Sequence, residues 1–230
     1  MEEEKKQFAL SWNKLWIPFT FLIVIWILKW TELRFDMDFS SWGVYPKNVR
    51  GLKGILAAPM IHGDLSHLLH NSLPFVALSL AIIYFYGAIS NSVFLVSYLT
   101  TGILVWIFGR ESFHIGASGL VYALASFVFF SGLIRQHAQL IAISLLVVFL
   151  YGGMVWGLFP IEPRISWESH LSGAVVGLFL AVWFRNIGPQ RKRYSWEDEE
   201  EENLQLAEQN PIQYTYVYKP KVNDEEDQQD

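Results

Sequence analysis

The sequence predicts an all-α polytopic membrane protein with six transmembrane helices and a long first loop at the membrane interface. Of its 230 residues, 52% are hydrophobic and 16% aromatic, with ten Trp. This composition is typical of proteins with Trp and Tyr at membrane interfaces. Six apolar segments have about the length, roughly 20 residues, that a helix needs to cross a bilayer. They are Leu15–Leu33, His67–Tyr86, Ser92–Phe108, Ala117–Ile134, Gln139–Phe159 and Ser169–Phe184.

Composition divides the chain into three parts. Residues 1–14 form a polar segment, residues 15–186 hold the apolar segments, and residues 187–230 form an acidic tail that we expect to be disordered. Basic residues flank the membrane part, namely Lys5, Lys6, Lys14, Arg185, Arg191, Lys192 and Arg193. With an even number of spans, they predict that both termini are cytoplasmic. Basic residues in the first loop weaken this bias, namely Arg34, Lys47, Arg50 and Lys53.

Several classes of function and processing are excluded. The chain has no Cys, which rules out disulfides, thiolate metal sites and cysteine catalysis. A net charge of −5 gives no support for nucleic-acid binding. We expect no cleavable signal peptide, because the first apolar segment is long enough to span and lacks a cleavage pattern after it.

Two connections have more than one interpretation. The long loop between Arg34 and Pro59 interleaves apolar and polar residues, so it either lies in the membrane interface or covers the helix ends in solvent. Its apolar residues are Phe35, Met37, Phe39, Trp42, Val44 and Tyr45. The connection Gly109–Gly116 is either an exposed loop or one that dips into the protein to line a polar cavity.

Polar residues inside membrane segments are costly and mark candidate functional positions. His67 and Asn71 are four residues apart and share one helix face, as do Ser118 and Tyr122. His170 begins the last apolar segment. A serine becomes a nucleophile when a base lies within hydrogen-bond reach. Taken alone, a Ser near a helix end is more often a cap or a packing residue, and a lone His in a membrane segment is as often structural, satisfied by a backbone carbonyl, as functional.

Small residues flank both the serine and the histidine. Gly173 and Gly177 form a GxxxG stripe on the face of His170, and Gly119 and Ala123 form a matching pair beside Ser118. Such stripes allow helix backbones to approach closely in lipid. Close packing along them would bring the serine and the histidine to the same depth.

Three motifs together resemble the rhomboid intramembrane serine proteases. They read Gly116-Ala117-Ser118-Gly119-Leu120-Val121-Tyr122-Ala123, His170-Leu171-Ser172-Gly173-Ala174-Val175-Val176-Gly177 and His62-Gly63-Asp64-Leu65-Ser66-His67-Leu68-Leu69-His70-Asn71. They fall on the fourth, sixth and second apolar segments, as in that family. The resemblance implies a six-helix rhomboid-like bundle over residues 15–186.

The resemblance also implies the site residues. Ser118 would be the nucleophile and His170 the general base, without an acidic third member. His67, Asn71 and the Ser118 backbone N–H would form the oxyanion hole, and Tyr122 would stack on the His170 ring. Supporting positions are Gly116, Gly119, Gly173, Gly177 and His62. Glu168, close in sequence to the histidine, should point elsewhere.

The chain departs from the family pattern in places. The frequent Trp-Arg pair of the first loop is missing, and we expect Arg50 to substitute for it in part. Ser169 stands where alanine is frequent, and we expect the additional His70 to face a neighbouring helix. The glycines of the fifth segment indicate either a border of lateral substrate entry, as the resemblance suggests, or tight packing. The Phe159–Glu168 loop would then cap the site.

The function implied is hydrolysis of peptide bonds in or near transmembrane segments of membrane protein substrates, through an acyl-enzyme. The short, cysteine-free chain suggests a multi-pass protein of the bacterial inner (plasma) membrane. Neither a cofactor nor a metal is expected, and the oligomeric state stays open.

Three alternatives remain. The first is a catalytically inactive rhomboid-like protein that binds membrane clients. The second is a metal site built from His62, His67 and His70, which would need a further ligand. The third is a transporter, which would require carboxylates buried inside the spans. We expect none there.

Overall fold

The fold is described by a computed structural model, which covers residues 12–162, 165–190, 194–209 and 218. Within these residues seven principal helices occur. They are α1 (Trp16–Phe35), α2 (Leu65–Phe85), α3 (Ser90–Phe108), α4 (Ser118–Arg135), α5 (Ala138–Tyr151), α6 (Trp167–Trp183) and α7 (Ser195–Gln209). In the described part of the chain, the extended pairing is limited to an isolated bridge between Val44 and His114. The structure is therefore all-helical.

Four helices are long and apolar enough to cross a membrane, namely α1, α2, α3 and α4. The predicted fifth span, Gln139–Phe159, is corrected by the structure: its α-helix ends at Tyr151 and continues as a 3-10 helix over Gly152–Leu158. Glycine is the weakest helix former after proline, and Pro160 follows directly, so the sequence cannot sustain a regular α-helix here. With 14 and 17 residues, α5 and α6 fall short of the roughly 20 needed for an α-helical span.

Helix α4 occupies the centre of the bundle. Among the four apolar helices it is the most buried, and it packs most extensively against α6. The main core cluster includes Phe75, Ile82, Tyr86, Phe127 and Leu180. Large apolar side chains instead lie exposed on the outer faces, where Phe149 is 85% exposed. A bundle with an apolar core and an apolar exterior fits a lipid environment.

Two capping side chains begin the helices next to the site. The Asp64 carboxylate accepts the His67 backbone N–H at 2.7 Å and starts α2. This hydrogen bond holds the pKa of Asp64 below its usual value. Ser166 starts α6 by accepting the Ser169 backbone N–H. Both caps satisfy amide groups that the first helical turn leaves without a partner.

The first loop is anchored by residues other than the expected one. Arg50 is exposed, whereas the Trp106 indole of α3 donates to the Asn48 carbonyl oxygen at 2.9 Å. Val44 and His114 exchange backbone hydrogen bonds of 3.0 and 2.9 Å. The loop is thereby tied to α3 and to the connection before α4. Its outward side exposes the apolar residues Phe35, Met37 and Trp42.

The chain forms two compact units, Met1–Arg191 and Lys192–Asp230. In the second unit, α7 lies within the tail that the sequence predicts to be disordered, and none of its residues is buried. Glu-rich sequences form helices readily, and Glu197 and Asp198 in the first turn favour the positive end of the helix dipole. Residues 1–11 of the N-terminal segment, and most of the tail after Gln209, lie outside the described residues.

Candidate active site

Ser118 is the first residue of α4, presented by a tight turn. Gly116 has φ of +104°, a conformation that favours glycine, and its N–H donates to the Ala58 carbonyl oxygen at 2.9 Å. At the start of the helix the Ser118 backbone N–H has no intrahelical acceptor. The turn therefore presents both the hydroxyl and the amide of Ser118.

His170 lies in the first turns of α6, 8% exposed, and its ring joins two partners. Nε2 is 2.9 Å from Ser118 Oγ, and Nδ1 is 2.9 Å from the Gly157 carbonyl oxygen. A carbonyl oxygen can only accept, so Nδ1 carries the proton and Nε2 of the neutral ring is left as an acceptor. In this tautomer Nε2 can accept the serine proton.

The ring plane of His170 is fixed by Tyr122, one turn along α4 from Ser118. The two rings are stacked, with centroids 4.1 Å apart and planes 8° apart. Stacking restricts rotation of the imidazole while leaving both nitrogens free for their hydrogen bonds. The structure thus places Tyr122 against the His170 ring, the contact that the family resemblance implies.

Close backbone contact between α4 and α6 brings the serine and the histidine together. A Cβ on Gly173 would overlap the Gly119 carbonyl oxygen, and a Cβ on Gly177 would overlap the Ala123 carbonyl oxygen. Backbone atoms cannot move aside as a flexible side chain can. The small residues predicted to form the seam therefore do lie in it.

His67 and Asn71 line the opposite side of the site from one face of α2. A Cβ on Gly116 would be 2.8 Å from His67 Nε2 and 3.7 Å from Asn71 Nδ2. Asn71 is 5% exposed, and its Nδ2 has no hydrogen-bond partner within the part of the chain described. A buried amide donor without a partner is costly, which makes it a candidate for binding a substrate oxygen.

His62 supports this side from the loop before α2. Its Nε2 accepts the Ala117 backbone N–H at 3.4 Å, and its ring lies edge-on to the His67 ring, with centroids 5.1 Å apart. Burial, together with the nearby His67, lowers the pKa of His62 to about 4. His62 is therefore neutral at neutral pH, as an acceptor of an amide N–H must be.

The candidate site opens into a cavity of about 790 Å³. Ser118, His170, His67 and Asn71 all line it. Its apolar wall includes Leu73, Phe113, Val121, Leu150 and Ile165. A mostly apolar cavity with a few converging polar groups is the usual form of a ligand site.

The connection before α4 is folded into the protein. His114 is buried, and its Nδ1 is 2.6 Å from the Ser166 hydroxyl while its Nε2 is 2.9 Å from the Arg110 carbonyl oxygen. Burial lowers the pKa of His114. Arg110 lies 3.5 Å from the Glu168 carboxylate, so this carboxylate pairs with the loop rather than with His170. These contacts hold the Gly109–Gly116 connection against the start of α6.

The expectation for His70 is wrong. His70 is exposed and lines the cavity, and its Nδ1 is 2.7 Å from the Ser66 carbonyl oxygen of its own helix, so it does not face a neighbouring helix. Among the described residues, no group of three His, Asp or Glu side chains could hold a metal ion. His62, His67 and His70 are therefore not grouped in the geometry that the metal-site alternative requires.

Sequence reasoning missed three functional or supporting positions. The Gly157 carbonyl, rather than an acidic side chain, is the partner of His170 Nδ1. A Cβ on Gly157 would overlap the Tyr122 hydroxyl, so a larger residue there would displace the Tyr122 side chain that stacks on His170. Lys29 and Glu32 are both buried in α1, 2.9 Å apart, so the expectation that no carboxylate is buried within a span is wrong. Their spacing of three residues was the available signal.

The chain belongs to the rhomboid family. The Rhomboid domain matches residues 50–187, a range that holds all three motifs and excludes α1. With four apolar helices of spanning length, the chain is an integral membrane protein.

Similar proteins are found in mycobacteria. Uncharacterised proteins of Mycobacterium tuberculosis and Mycobacterium bovis are each 29% identical over 184 residues, covering 75% of this chain and 75% of their own. An uncharacterised protein of Mycobacterium leprae is 28% identical over 190 residues, covering 75% of this chain and 71% of its own. The similarity to these relatives extends over about three quarters of the chain, and their names state no activity.

Proposed function

We propose that the chain is an intramembrane serine endopeptidase that uses Ser118 as nucleophile and His170 as general base. The observation that carries the proposal is the His170 ring, which lies 2.9 Å from the Ser118 hydroxyl on one side and 2.9 Å from the Gly157 carbonyl on the other. A nucleophile within reach of a base that a third group orients is the arrangement that covalent catalysis needs.

The reaction proceeds in two halves. Ser118 Oγ attacks the carbonyl carbon of the scissile peptide as its proton passes to His170 Nε2. His170 then donates this proton to the leaving amine nitrogen as the C–N bond breaks, which leaves an acyl-enzyme. A water molecule, deprotonated by the same nitrogen, attacks the ester carbonyl, and the proton returns to Ser118 Oγ as the acid product leaves.

The negative charge that develops on the substrate oxygen is stabilised by the opposite side of the cavity. Asn71 Nδ2, a protonated ring nitrogen of His67 and the Ser118 backbone N–H are the donors. Loss of one such donor typically lowers kcat by roughly 10²- to 10³-fold. The unpartnered, buried Asn71 Nδ2 supports this role.

The substrates are membrane proteins cut in or near a transmembrane segment. The apolar wall of the cavity suits a membrane-embedded chain, while its polar groups supply the hydration that hydrolysis needs. A helical peptide bond is shielded by its own backbone, so the substrate must unwind before it reaches Ser118. Segments with Gly or Pro are therefore favoured.

Helices α1–α6 all cross the membrane in this proposal, with both termini in the cytoplasm of a bacterial cell. The α-helical and 3-10 parts of the fifth segment rise about 1.5 and 2.0 Å per residue and together span roughly 35 Å, enough for a hydrocarbon core of about 30 Å. Because the chain has no Cys, single-Cys variants in residues 1–14, the first loop and the tail can report sidedness by labelling intact and opened cells. Labelling of either terminus in intact cells would overturn this topology.

The test of the activity is cleavage of a labelled model transmembrane substrate by the purified full chain in detergent. We expect the wild type to cut and Ser118→Ala and His170→Ala to be silent. Retained cleavage in His170→Ala would show that the base is misassigned. If a folded wild type cuts none of several substrates, the proposal fails and the inactive, client-binding alternative is favoured.

A further inference from the structure

A buried ion pair in α1 lies outside the family match and outside the proposed catalytic mechanism. Lys29 and Glu32 are 7% and 8% exposed, and Lys29 Nζ is 2.9 Å from Glu32 Oε2. Charged groups within a spanning helix are costly and are retained at functional positions. A buried pair is also weak evidence for stability, since its desolvation offsets its attraction. The pair therefore requires an explanation beyond packing.

The hydrogen bonds of Lys29 reach the chain just before α2. Its Nζ donates to Glu32 Oε2, to the His62 carbonyl oxygen and to the Gly63 carbonyl oxygen, each at 2.9 Å. An ammonium group has three N–H donors, so all three have acceptors. On the other side of the pair, Glu32 Oε1 accepts the Phe39 backbone N–H at 3.0 Å. The pair thus holds both ends of the first loop.

His62, whose carbonyl oxygen Lys29 holds, contacts the site both beside Ser118 and at His67. His62 is 2% exposed, its Nε2 accepts the Ala117 N–H, and its ring lies edge-on to the His67 ring. Ala117 directly precedes the nucleophile Ser118. By holding the His62 carbonyl oxygen, Lys29 therefore orients the His62 ring. That ring contacts both the His67 ring and the turn before Ser118.

We propose that Lys29 is a positioning residue for the oxyanion hole. It acts through His62, and Glu32 holds the ammonium group against the carbonyl oxygens of the chain before α2. The inference rests on the proposed function, because an oxyanion hole has meaning only for a catalytic Ser118. Lys29 itself does not line the cavity, and of the cavity-lining residues it is hydrogen-bonded to Gly63, through a backbone carbonyl oxygen.

The competing explanation is that the pair only joins α1 to α2. The chain offers a matched control, because the Trp26 indole of α1 donates to the Ser72 hydroxyl of α2 at 3.2 Å, and neither residue lines the cavity. Trp26→Phe removes a bond between the same two helices. Removing Lys29 alone would leave the buried Glu32 carboxylate without its charged partner. The test variant is therefore the double substitution Lys29→Met/Glu32→Gln.

The kinetic test separates positioning from packing. We compare the wild type, the double variant and Trp26→Phe for kcat and KM, and for binding of a substrate-derived peptide aldehyde and of the matching peptide amide. Ser118 Oγ–H adds across the aldehyde C=O, and the resulting hemiacetal oxygen occupies the oxyanion hole. The peptide amide makes the other contacts only.

In the double variant we expect kcat to fall about 10- to 100-fold with KM changed by less than about twofold. Aldehyde affinity should fall by a similar factor and peptide amide affinity should not. Trp26→Phe should leave all four quantities near the wild-type values even if it lowers Tm. The inference is overturned if the double variant retains kcat, or if its aldehyde and peptide amide affinities fall together.

A readout without activity keeps this inference distinct from the proposed function. Hydrogen exchange of the Ala117 and Ser118 amides should accelerate in the double variant and stay unchanged in Trp26→Phe. If the wild type cuts no substrate, the proposed function fails, yet the exchange experiment still tests the contacts. Unchanged exchange in the double variant would overturn the positioning role whether or not the chain is an enzyme.

Discussion

The two sides of the candidate site are held in different ways. Ser118 and His170 meet because α4 and α6 pack backbone to backbone along Gly119, Gly173 and Gly177. His67 and Asn71 instead project from α2, whose start is held by polar contacts from the Asp64 cap and from Lys29. The first side depends on the absence of side chains, and the second on the presence of particular ones. We call the side with Ser118 and His170 the dyad side and the side with His67 and Asn71 the oxyanion side. Substitutions should damage the two sides differently.

The largest expected effect comes from enlarging a residue in the α4–α6 seam. Gly173→Val would drive a branched side chain into the Gly119 carbonyl, destabilise the fold by about 3 kcal/mol and separate Ser118 from His170. We expect activity to be lost and Tm to fall in detergent. Val175→Ala, at an exposed position of the same helix, is the control and should change neither. Full activity in Gly173→Val would show that close packing of α4 and α6 is not needed to bring Ser118 and His170 together.

A substitution at the turn before Ser118 should affect the oxyanion side more than the fold. In Gly116→Ala the positive φ and a Cβ 2.7 Å from the His67 ring both introduce strain, of about 1–3 kcal/mol. We expect kcat to fall roughly 100-fold with a smaller change in KM. The matched control is Gly63→Ala, since a Cβ at Gly63 meets no atom within 4 Å. Equal kinetics for the two alanine variants would argue against this account.

The stacked pair on the dyad side gives a graded effect. Tyr122→Ala removes the ring that lies 4.1 Å from His170, whereas Tyr122→Phe retains it. Stacking of this kind contributes about 0.5–1.5 kcal/mol, so kcat in the alanine variant should be roughly 3- to 10-fold below that in the phenylalanine variant. Steady-state kinetics on one substrate measures the ratio. A phenylalanine variant as slow as the alanine variant would show that the hydroxyl, not the stacking, is needed.

A last effect, confined to acid pH, concerns the stability of the oxyanion side. The pKa of His62 is about 4 in the fold and near 6.5 in an unfolded chain, so between these values the unfolded state binds more protons. Stability should therefore fall as pH drops from 6.5 towards 4, by an amount of the order of 3 kcal/mol.

His62→Gln should flatten this part of the Tm–pH curve. His70→Gln, at an exposed histidine of the same motif, serves as the control and should leave the curve unchanged. A wild-type Tm that stays constant over this pH range would contradict burial of a neutral His62.

The dyad side was largely predictable from sequence because its determinants are local. Small residues at fixed spacing beside Ser118 and His170 predict a close seam, and the four-residue spacing of Ser118 and Tyr122 predicts the shared face. The approximate positions of helices α1–α6 followed from hydropathy. These properties depend on neighbours within one or two helical turns.

The other side could not be predicted because its contacts join distant parts of the chain. Lys29 binds carbonyls 33 and 34 residues away, and backbone carbonyls carry no sequence signature. For the same reason, the contact between His170 Nδ1 and the Gly157 carbonyl could not be predicted. This carbonyl takes the place that an acidic residue holds in a triad. The change to a 3-10 helix at Gly152 likewise reflects competition between weak helix propensity and tertiary packing.

The most direct test of the central claim is the reaction of the purified chain with a fluorophosphonate probe, mapped by mass spectrometry. Such probes react with serines that a neighbouring base activates. We predict a single modification at Ser118 in the wild type, and none at the nearby hydroxyls of Ser166 and Ser169. His170→Ala should abolish the labelling. No labelling of a folded wild type, or undiminished labelling of Ser118 in His170→Ala, would contradict a Ser118–His170 dyad.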